Sequence, residues 1–162
     1  MKKPKAAAIE FLEAKQIPFE LLPHRTAFTA ADEAATLHVA RTDVIKTVVL
    51  DVGAGHVIAV IPASRRLDMG LVREELADKH AHLAGEIETE RDFPAYELGA
   101  IPPIPSMAMV PVFVDPEIMN REAVIFAADH EESVKVKTMD LFSGEYVTVA
   151  PLCRHFAEMP AS

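Results

Sequence analysis

The chain has 162 residues, of which 50% are hydrophobic, and this is enough to bury a sizeable core in one globular domain over residues 1–162. Sixteen Lys and Arg residues against 25 Asp and Glu residues give a net charge of −9, which argues against tight, non-specific binding of nucleic acid through a basic surface. No apolar run approaches the ~20 residues that span a bilayer, and the single cysteine, Cys153, fits a reducing cytoplasm.

Hydrophobic periodicity and turn residues divide the chain into short helices and strands. In chain order we predict a helix over residues 4–16, a strand near 19–22, a helix over 30–37 capped by Thr29, a strand over 44–52, its hairpin partner over 56–61 and a helix over 69–79 capped by Asp68. We then predict a short helix starting near 89–92, a proline-rich loop over 99–111, strands over 112–115, 123–127 and 133–137, a helical turn over 139–142, an extended segment over 146–149 and a helix after Pro151. Because strands and helices do not strictly alternate, the pattern predicts an α/β domain of the α+β type with a mixed sheet.

Lys46 interrupts the apolar strand predicted over 44–52. Side chains alternate along a strand, so Lys46 shares the more apolar face with Val44, Val48, Leu50 and Val52. An ammonium group is costly to bury alone, so this position requires an anion, a cleft or a strand end open to water. The lysine is either a fixed cation for a phosphate, carboxylate or developing oxyanion, or a strand lysine that extends into solvent from an edge.

The loop that begins at Gly99 is the second candidate. A glycine followed by Pro102 and Pro103 predicts a stiff loop whose backbone amides are able to bind an oxyanion, although a rigid connector has the same pattern. Two histidines, His24 and His130, also fall in predicted loops, where functional residues collect and where solvated histidines are common.

Other kinds of site find little support in the sequence. His80 and His82 lack a third metal ligand at suitable spacing, and no serine lies in a G-x-S-x-G nucleophile elbow. No dinucleotide fingerprint or phosphate-binding glycine loop occurs. These patterns therefore give no support to a metal site or a dinucleotide site.

Taken in order, these features resemble the YbaK/prolyl-tRNA synthetase-associated domain family of aminoacyl-tRNA editing domains. The likeness extends from about residue 6 to residue 150. It rests first on His24 before the helix with Ala30–Ala35, and on the strand Val44–Leu50, which is similar to the family's V-x-K-T-hydrophobic pattern. It also rests on the G-x-x-x-P loop Gly99–Pro103 and on the extended segment that ends in Asp115. Two positions depart from the family pattern and bear on the shape of the pocket: Ile104, where an aromatic residue is common, and Ala127–Ala128, where a glycine is usual.

The resemblance implies a mostly antiparallel sheet or partial barrel flanked by helices, and a trans-editing deacylase that removes a mischarged small amino acid from tRNA. In that picture Lys46 positions the terminal phosphate or the aminoacyl carbonyl, and Gly99 brings backbone amides to the ester. The resemblance also implies that no metal or cofactor is needed. The implied substrate-binding residues are His24, Ala100, Ile101, Pro102, Pro103, Asp115 and His130.

The resemblance also implies a partner, the acceptor end of tRNA. The acidic net charge predicts modest affinity from this domain alone, so a synthetase or an elongation factor is expected to deliver the substrate. Two other readings stay open: a non-catalytic module of the same fold that binds a nucleotide or acyl ligand at Lys46, and a hydrolase of another small activated ester.

Overall fold

The computed structural model describes residues 5–154. Its helices are α1 Ala7–Ala14, α2 Ala30–Leu37, α3 Met69–Leu76, α4 Glu86–Asp92, α5 Pro105–Ala108, α6 Pro116–Met119 and α7 Thr138–Leu141, with a 3₁₀ turn at Arg41–Asp43. Its strands are β1 Phe19–Pro23, β2 Ile45–Val52, β3 Gly55–Pro62, β4 His82–Leu83, β5 Val112–Val114, β6 Ala123–Ala127, β7 Glu132–Lys137 and β8 Thr148–Val149. None of these helices is long and apolar enough to cross a membrane.

The strands form two sheets. One is an antiparallel sheet in the order β1-β7-β6, and the other is a mixed sheet in the order β4-β2-β3-β5-β8. In the mixed sheet β2 pairs antiparallel with β3 and β4, whereas β5 runs parallel to both β3 and β8. A parallel bridge joins Val44 to Ile125 between the sheets, which do not close into a full barrel over the described residues. The predicted α/β class with mostly antiparallel pairing is thus confirmed.

The two faces of β2 pack against different cores. Ile45 and Val49 belong to the main core, which α1, both sheets and the loop before α5 share. Val48 and Leu50 instead pack in a smaller cluster around Val72 of α3. This alternation decides which side of the sheet each polar residue of β2 occupies.

Local signals explain where several elements begin and end. Thr29 caps α2 as predicted, since its side chain accepts a hydrogen bond from the amide of Asp32 at 3.1 Å. The third helix ends at Leu76 rather than Lys79 because Ala77 adopts the left-handed conformation, with φ of 51°. A short helix, α5, lies inside the predicted proline-rich loop because Pro105 fits its first turn. Residues 151–154 are not helical, and the rest of the predicted C-terminal helix lies outside the described residues.

Candidate active site

Gly99 lies in the turn between α4 and α5, against the loop that precedes α2. Its φ is 82°, and a Cβ atom placed on it would lie 2.6 Å from the carbonyl oxygen of Phe28. Glycine therefore satisfies two demands here, a backbone conformation that other residues rarely adopt and a close approach to another backbone. The two loops are packed together at this residue.

His130, between β6 and β7, joins the same two loops. Its Nε2 atom lies 2.6 Å from the carbonyl oxygen of Leu98 and its Nδ1 atom lies 2.6 Å from Oε2 of Glu97. Because a carbonyl oxygen only accepts, Nε2 donates this hydrogen bond. The imidazole also packs edge to face against the Phe28 ring, with 4.7 Å between the ring centroids. His130 thus holds the Gly99 turn and the Phe28 loop together.

A pocket of about 690 Å³ opens beside this junction. Its walls combine aromatic and apolar side chains with three glutamates. The lining residues are Phe28, Thr29, Glu86, Glu90, Pro94, Tyr96, Glu97, Leu98 and His130. Such a mixture of apolar surface and a few convergent polar groups is typical of small-molecule sites.

The Gly99 turn offers backbone donors at this junction. The amide of Ala100 donates to the carbonyl oxygen of Glu97 at 3.0 Å. Within residues 5–154 the amides of Gly99 and Ile101 donate to no acceptor. Gly99 is also exposed, so this turn lies at the surface beside the pocket.

The side chains that follow Gly99 point away from solvent. Ala100 and Ile101 are only 3% and 5% exposed, and Pro102 and Pro103 are buried as well. Ile101 belongs to the main core, so the loop is anchored there. These four residues are therefore placed to hold the turn, and their predicted contact with substrate stays a prediction.

His24 belongs to a separate network of hydrogen bonds with Ser133 and Glu33. Its Nε2 atom is 2.9 Å from the hydroxyl of Ser133, which also hydrogen-bonds to the carboxyl of Glu33. Glu33 is only 2% exposed, and this burial raises its pKa to about 7, although the Ser133 hydroxyl opposes the shift. These hydrogen bonds connect helix α2 to strand β7, next to the loop that carries His130.

Lys46 occupies the second position of β2, opposite Ile61. Its side chain is exposed, so of the three environments that the sequence left open, the strand end open to water is the one found. Within the part of the chain that the structure describes, its ammonium forms no hydrogen bond or ion pair. It thus makes no such contact with Gly99 or His130, and its predicted catalytic role stays a prediction.

Asp115 is almost fully buried, at 1% exposure. One carboxylate oxygen accepts from the amide of Glu117 and the other from the amide of Leu152, both at 3.0 Å. These bonds cap α6 and hold the segment that follows β8. Asp115 therefore supports the fold, and its predicted contact with substrate stays a prediction.

The sequence matches the family model for the aminoacyl-tRNA editing domain over residues 24–143, well over half of the chain. This chain belongs to the aminoacyl-tRNA editing domain family. The predicted resemblance is confirmed, and the matched range contains Gly99, His130 and Lys46. A comparison with curated protein sequences gave no match.

Solved structures share the fold of this editing domain. A hypothetical protein, APE2540, is 23% identical with a TM-score of 0.77, over 91% of this chain and 99% of that chain. A proposed trans-editing enzyme for prolyl tRNA synthetase is 19% identical with a TM-score of 0.76, over 96% and 100% of the two chains. A proposed signal transduction protein from Marinobacter aquaeolei VT8 is 14% identical with a TM-score of 0.71, and the match spans 97% of this chain but 32% of that one. At these identities the likeness shows the fold alone.

The editing domain also has a histidine–carboxylate group at the far end of the β2–β3 hairpin. Asp51, His56 and Glu88 place one potential ligand atom each within 4.8 Å of the others. The two ring nitrogens of His56 lie 2.7 Å from carboxylate oxygens of Asp51 and Asp92. Burial works against the charged ring, but the hydrogen bond to Asp92 and the nearby negative charges outweigh it and raise the pKa of His56. His56 thus forms ion pairs with both carboxylates when its ring is protonated.

Three residues at or next to the candidate site were not predicted from the sequence: Phe28, Glu97 and Glu33. Phe28 directly precedes the cap residue Thr29, a position where apolar residues often pack, and that signal was available. Glu33 lies beside buried Ala34 on α2, yet an acidic residue in the first turn of a helix is usually read as solvated. For Glu97 no local signal exists, because its partner His130 lies in a distant part of the sequence.

Proposed function

We propose that this editing domain is a trans-editing deacylase that hydrolyses the ester between a mischarged small amino acid and the 3′-terminal adenosine of tRNA. The observation that supports this most is the junction at Gly99. There, in a chain of this family, an unpaired backbone amide stands beside a pocket walled by Phe28 and His130.

Hydrolysis of this ester requires few catalytic groups from the protein. Water adds to the ester carbonyl carbon, the carbonyl oxygen becomes an oxyanion, and the bond to the ribose oxygen then breaks while that oxygen takes up a proton. An aminoacyl ester is already activated, so a fixed donor for the oxyanion is a sufficient source of catalysis. One such donor is typically worth about 2.7–4 kcal/mol, and we assign this role to the amide of Gly99.

Lys46 supplies positive charge in the proposal. No described carboxylate pairs with its exposed ammonium, so the charge is available to the terminal phosphate or to the carbonyl of the substrate. The net charge of −9 restricts favourable contact to the acceptor end of the tRNA. A synthetase or an elongation factor then delivers the charged tRNA. The reaction as written requires no metal or cofactor.

The test is a panel of tRNAs charged with alanine, serine, cysteine and other small amino acids, with release of the amino acid followed under single-turnover conditions. The proposal predicts release well above spontaneous hydrolysis for at least one member. No deacylation across the panel would contradict it.

The same panel separates the alternatives. Saturable binding that depends on Lys46 but gives no turnover would identify a binding module. Turnover of free acyl esters at rates equal to those on charged tRNA would identify a different esterase.

A further inference from the structure

We propose that Glu97 binds the α-ammonium group of the aminoacyl ester, so that the site selects esters whose amino group is free. This inference rests on the proposed function and names the chemical feature of the substrate that the pocket recognises.

The carboxylate of Glu97 is held in place by one of its oxygens, and the other oxygen is left to bind a ligand. Its Oε2 atom lies 2.6 Å from Nδ1 of His130, and this pairing fixes the direction of the side chain. Within the described residues the other carboxylate oxygen has no partner. Because the side chain is 47% exposed and lines the pocket, that oxygen is accessible to a cationic ligand.

Glu97 and the proposed oxyanion donor lie on one turn. The amide of Ala100 donates to the carbonyl oxygen of Glu97, which fixes the backbone between Glu97 and Gly99. In an aminoacyl ester the α-nitrogen and the carbonyl oxygen are separated by three covalent bonds. Glu97 and Gly99 stand two positions apart on this turn, so an acceptor for the ammonium and a donor for the carbonyl oxygen come from the same short segment.

The charge of the pocket favours an ammonium group over a phosphate. Glu86 and Glu90 line the same pocket as Glu97, and its lining contains no lysine or arginine. A phosphate would be repelled there, whereas the cationic end of an amino acid would be attracted. The aminoacyl group therefore occupies this pocket, and the tRNA backbone lies outside it.

The experiment compares three esters on the tRNA that the domain deacylates fastest: the aminoacyl ester, its N-acetyl derivative and the corresponding α-hydroxyacyl ester. The last two lack the positive charge. For the unmodified protein we expect kcat/KM to fall about 10- to 100-fold for both, the usual worth of a charge-assisted hydrogen bond. Glu97→Gln retains the shape and the contact with His130, so it should lower kcat/KM for the aminoacyl ester by a similar factor and leave the other two unchanged.

Glu74→Gln is the matched control, because Glu74 is an exposed glutamate of α3 outside this pocket, and it should preserve the discrimination. Equal rates on the three esters in the unmodified protein would overturn the proposal. So would a Glu97→Gln variant that slows all three esters by the same factor, since Glu97 would then act only by holding the turn.

A binding measurement keeps the inference testable without turnover. An adenosine analogue that carries the amino acid through an amide bond cannot be hydrolysed at the ester position. We expect Glu97→Gln and N-acetylation each to weaken its binding about 10- to 100-fold, without additive effect when combined. If no charged tRNA is hydrolysed but this pattern appears, the deacylase function fails while the ammonium site stands. If neither change affects binding, the ammonium site is wrong whatever the activity.

Discussion

At Gly99 the backbone has a φ of 82°, and the place of a Cβ atom lies 2.6 Å from the carbonyl oxygen of Phe28. The obstacle is a backbone atom, which cannot rotate away as a side chain can. We therefore expect Gly99→Ala to displace the turn and to lower single-turnover deacylation at least ~10-fold. The same change should lower the free energy of unfolding by about 1–3 kcal/mol, measured by urea denaturation.

Gly85→Ala is the control for Gly99→Ala, since it makes the same substitution at another glycine. The φ of Gly85 is −73° and a Cβ atom there would meet nothing within 4 Å. Gly85→Ala should retain activity and lower the free energy of unfolding by less than about 1 kcal/mol, because Gly85 is the N-cap of α4 and alanine is a poorer cap. Comparable losses of activity in both variants would show that Gly99 has no special role.

Among the elements, α6 and the segment after β8 depend on one buried carboxylate. Asp115→Ala leaves the amides of Glu117 and Leu152 without their acceptor. We expect the free energy of unfolding to fall by about 2–4 kcal/mol, and by less in Asp115→Asn, which keeps one acceptor oxygen. Urea denaturation measures this loss. A large loss of deacylation with unchanged stability would instead support the substrate contact that the resemblance implied.

The stability of the whole molecule should depend on pH through Glu33. Its pKa is about 7 in the folded state against 4.5 ordinarily, because burial favours the neutral carboxyl. The stabilisation is therefore fully present below about pH 4.5 and is lost as the pH rises through 7. The side chain in Glu33→Gln stays neutral at every pH. Between pH 5 and 8 the free energy of unfolding of the unmodified protein should therefore fall by on the order of 2–3 kcal/mol more than that of Glu33→Gln. Parallel pH curves for the two proteins would contradict this.

His56 contributes to the same pH curve with the same sign. Its raised pKa makes its ion pairs stabilising below the ordinary histidine value of 6.5, and this stabilisation is lost as the pH rises through the higher folded value. The comparison with Glu33→Gln isolates Glu33, because His56 is present in both proteins.

Elements with strong local signals were predicted well from the sequence. The β2–β3 hairpin follows from two β-branched runs around a glycine turn, and α2 follows from its Thr29 cap. The end of α3 could not be predicted, because Ala77 adopts a left-handed conformation that nothing in its sequence favours. The brief strand β4 was missed because it exists only through its pairing with Leu50 and Asp51.

At the site, the sequence indicated the glycine but not the residues packed against it. The need for glycine at position 99 comes from Phe28, about seventy residues earlier in the chain, and tertiary contact decides it. The apolar face of β2 likewise indicated an unusual lysine. It did not decide between an anion, a cleft and a strand end open to water, and the structure shows that Lys46 lies open to water.

Lys46 is the proposed cation of the editing site, and single-turnover deacylation by Lys46→Ala on the best tRNA of the panel tests this role most directly. Lys135→Ala is the control, because Lys135 is also an exposed strand lysine. Since Lys46 has no described partner, its loss should change the free energy of unfolding by no more than about 0.5 kcal/mol. We predict at least a ~100-fold loss of rate for Lys46→Ala and none for Lys135→Ala. Full activity in Lys46→Ala would contradict the account.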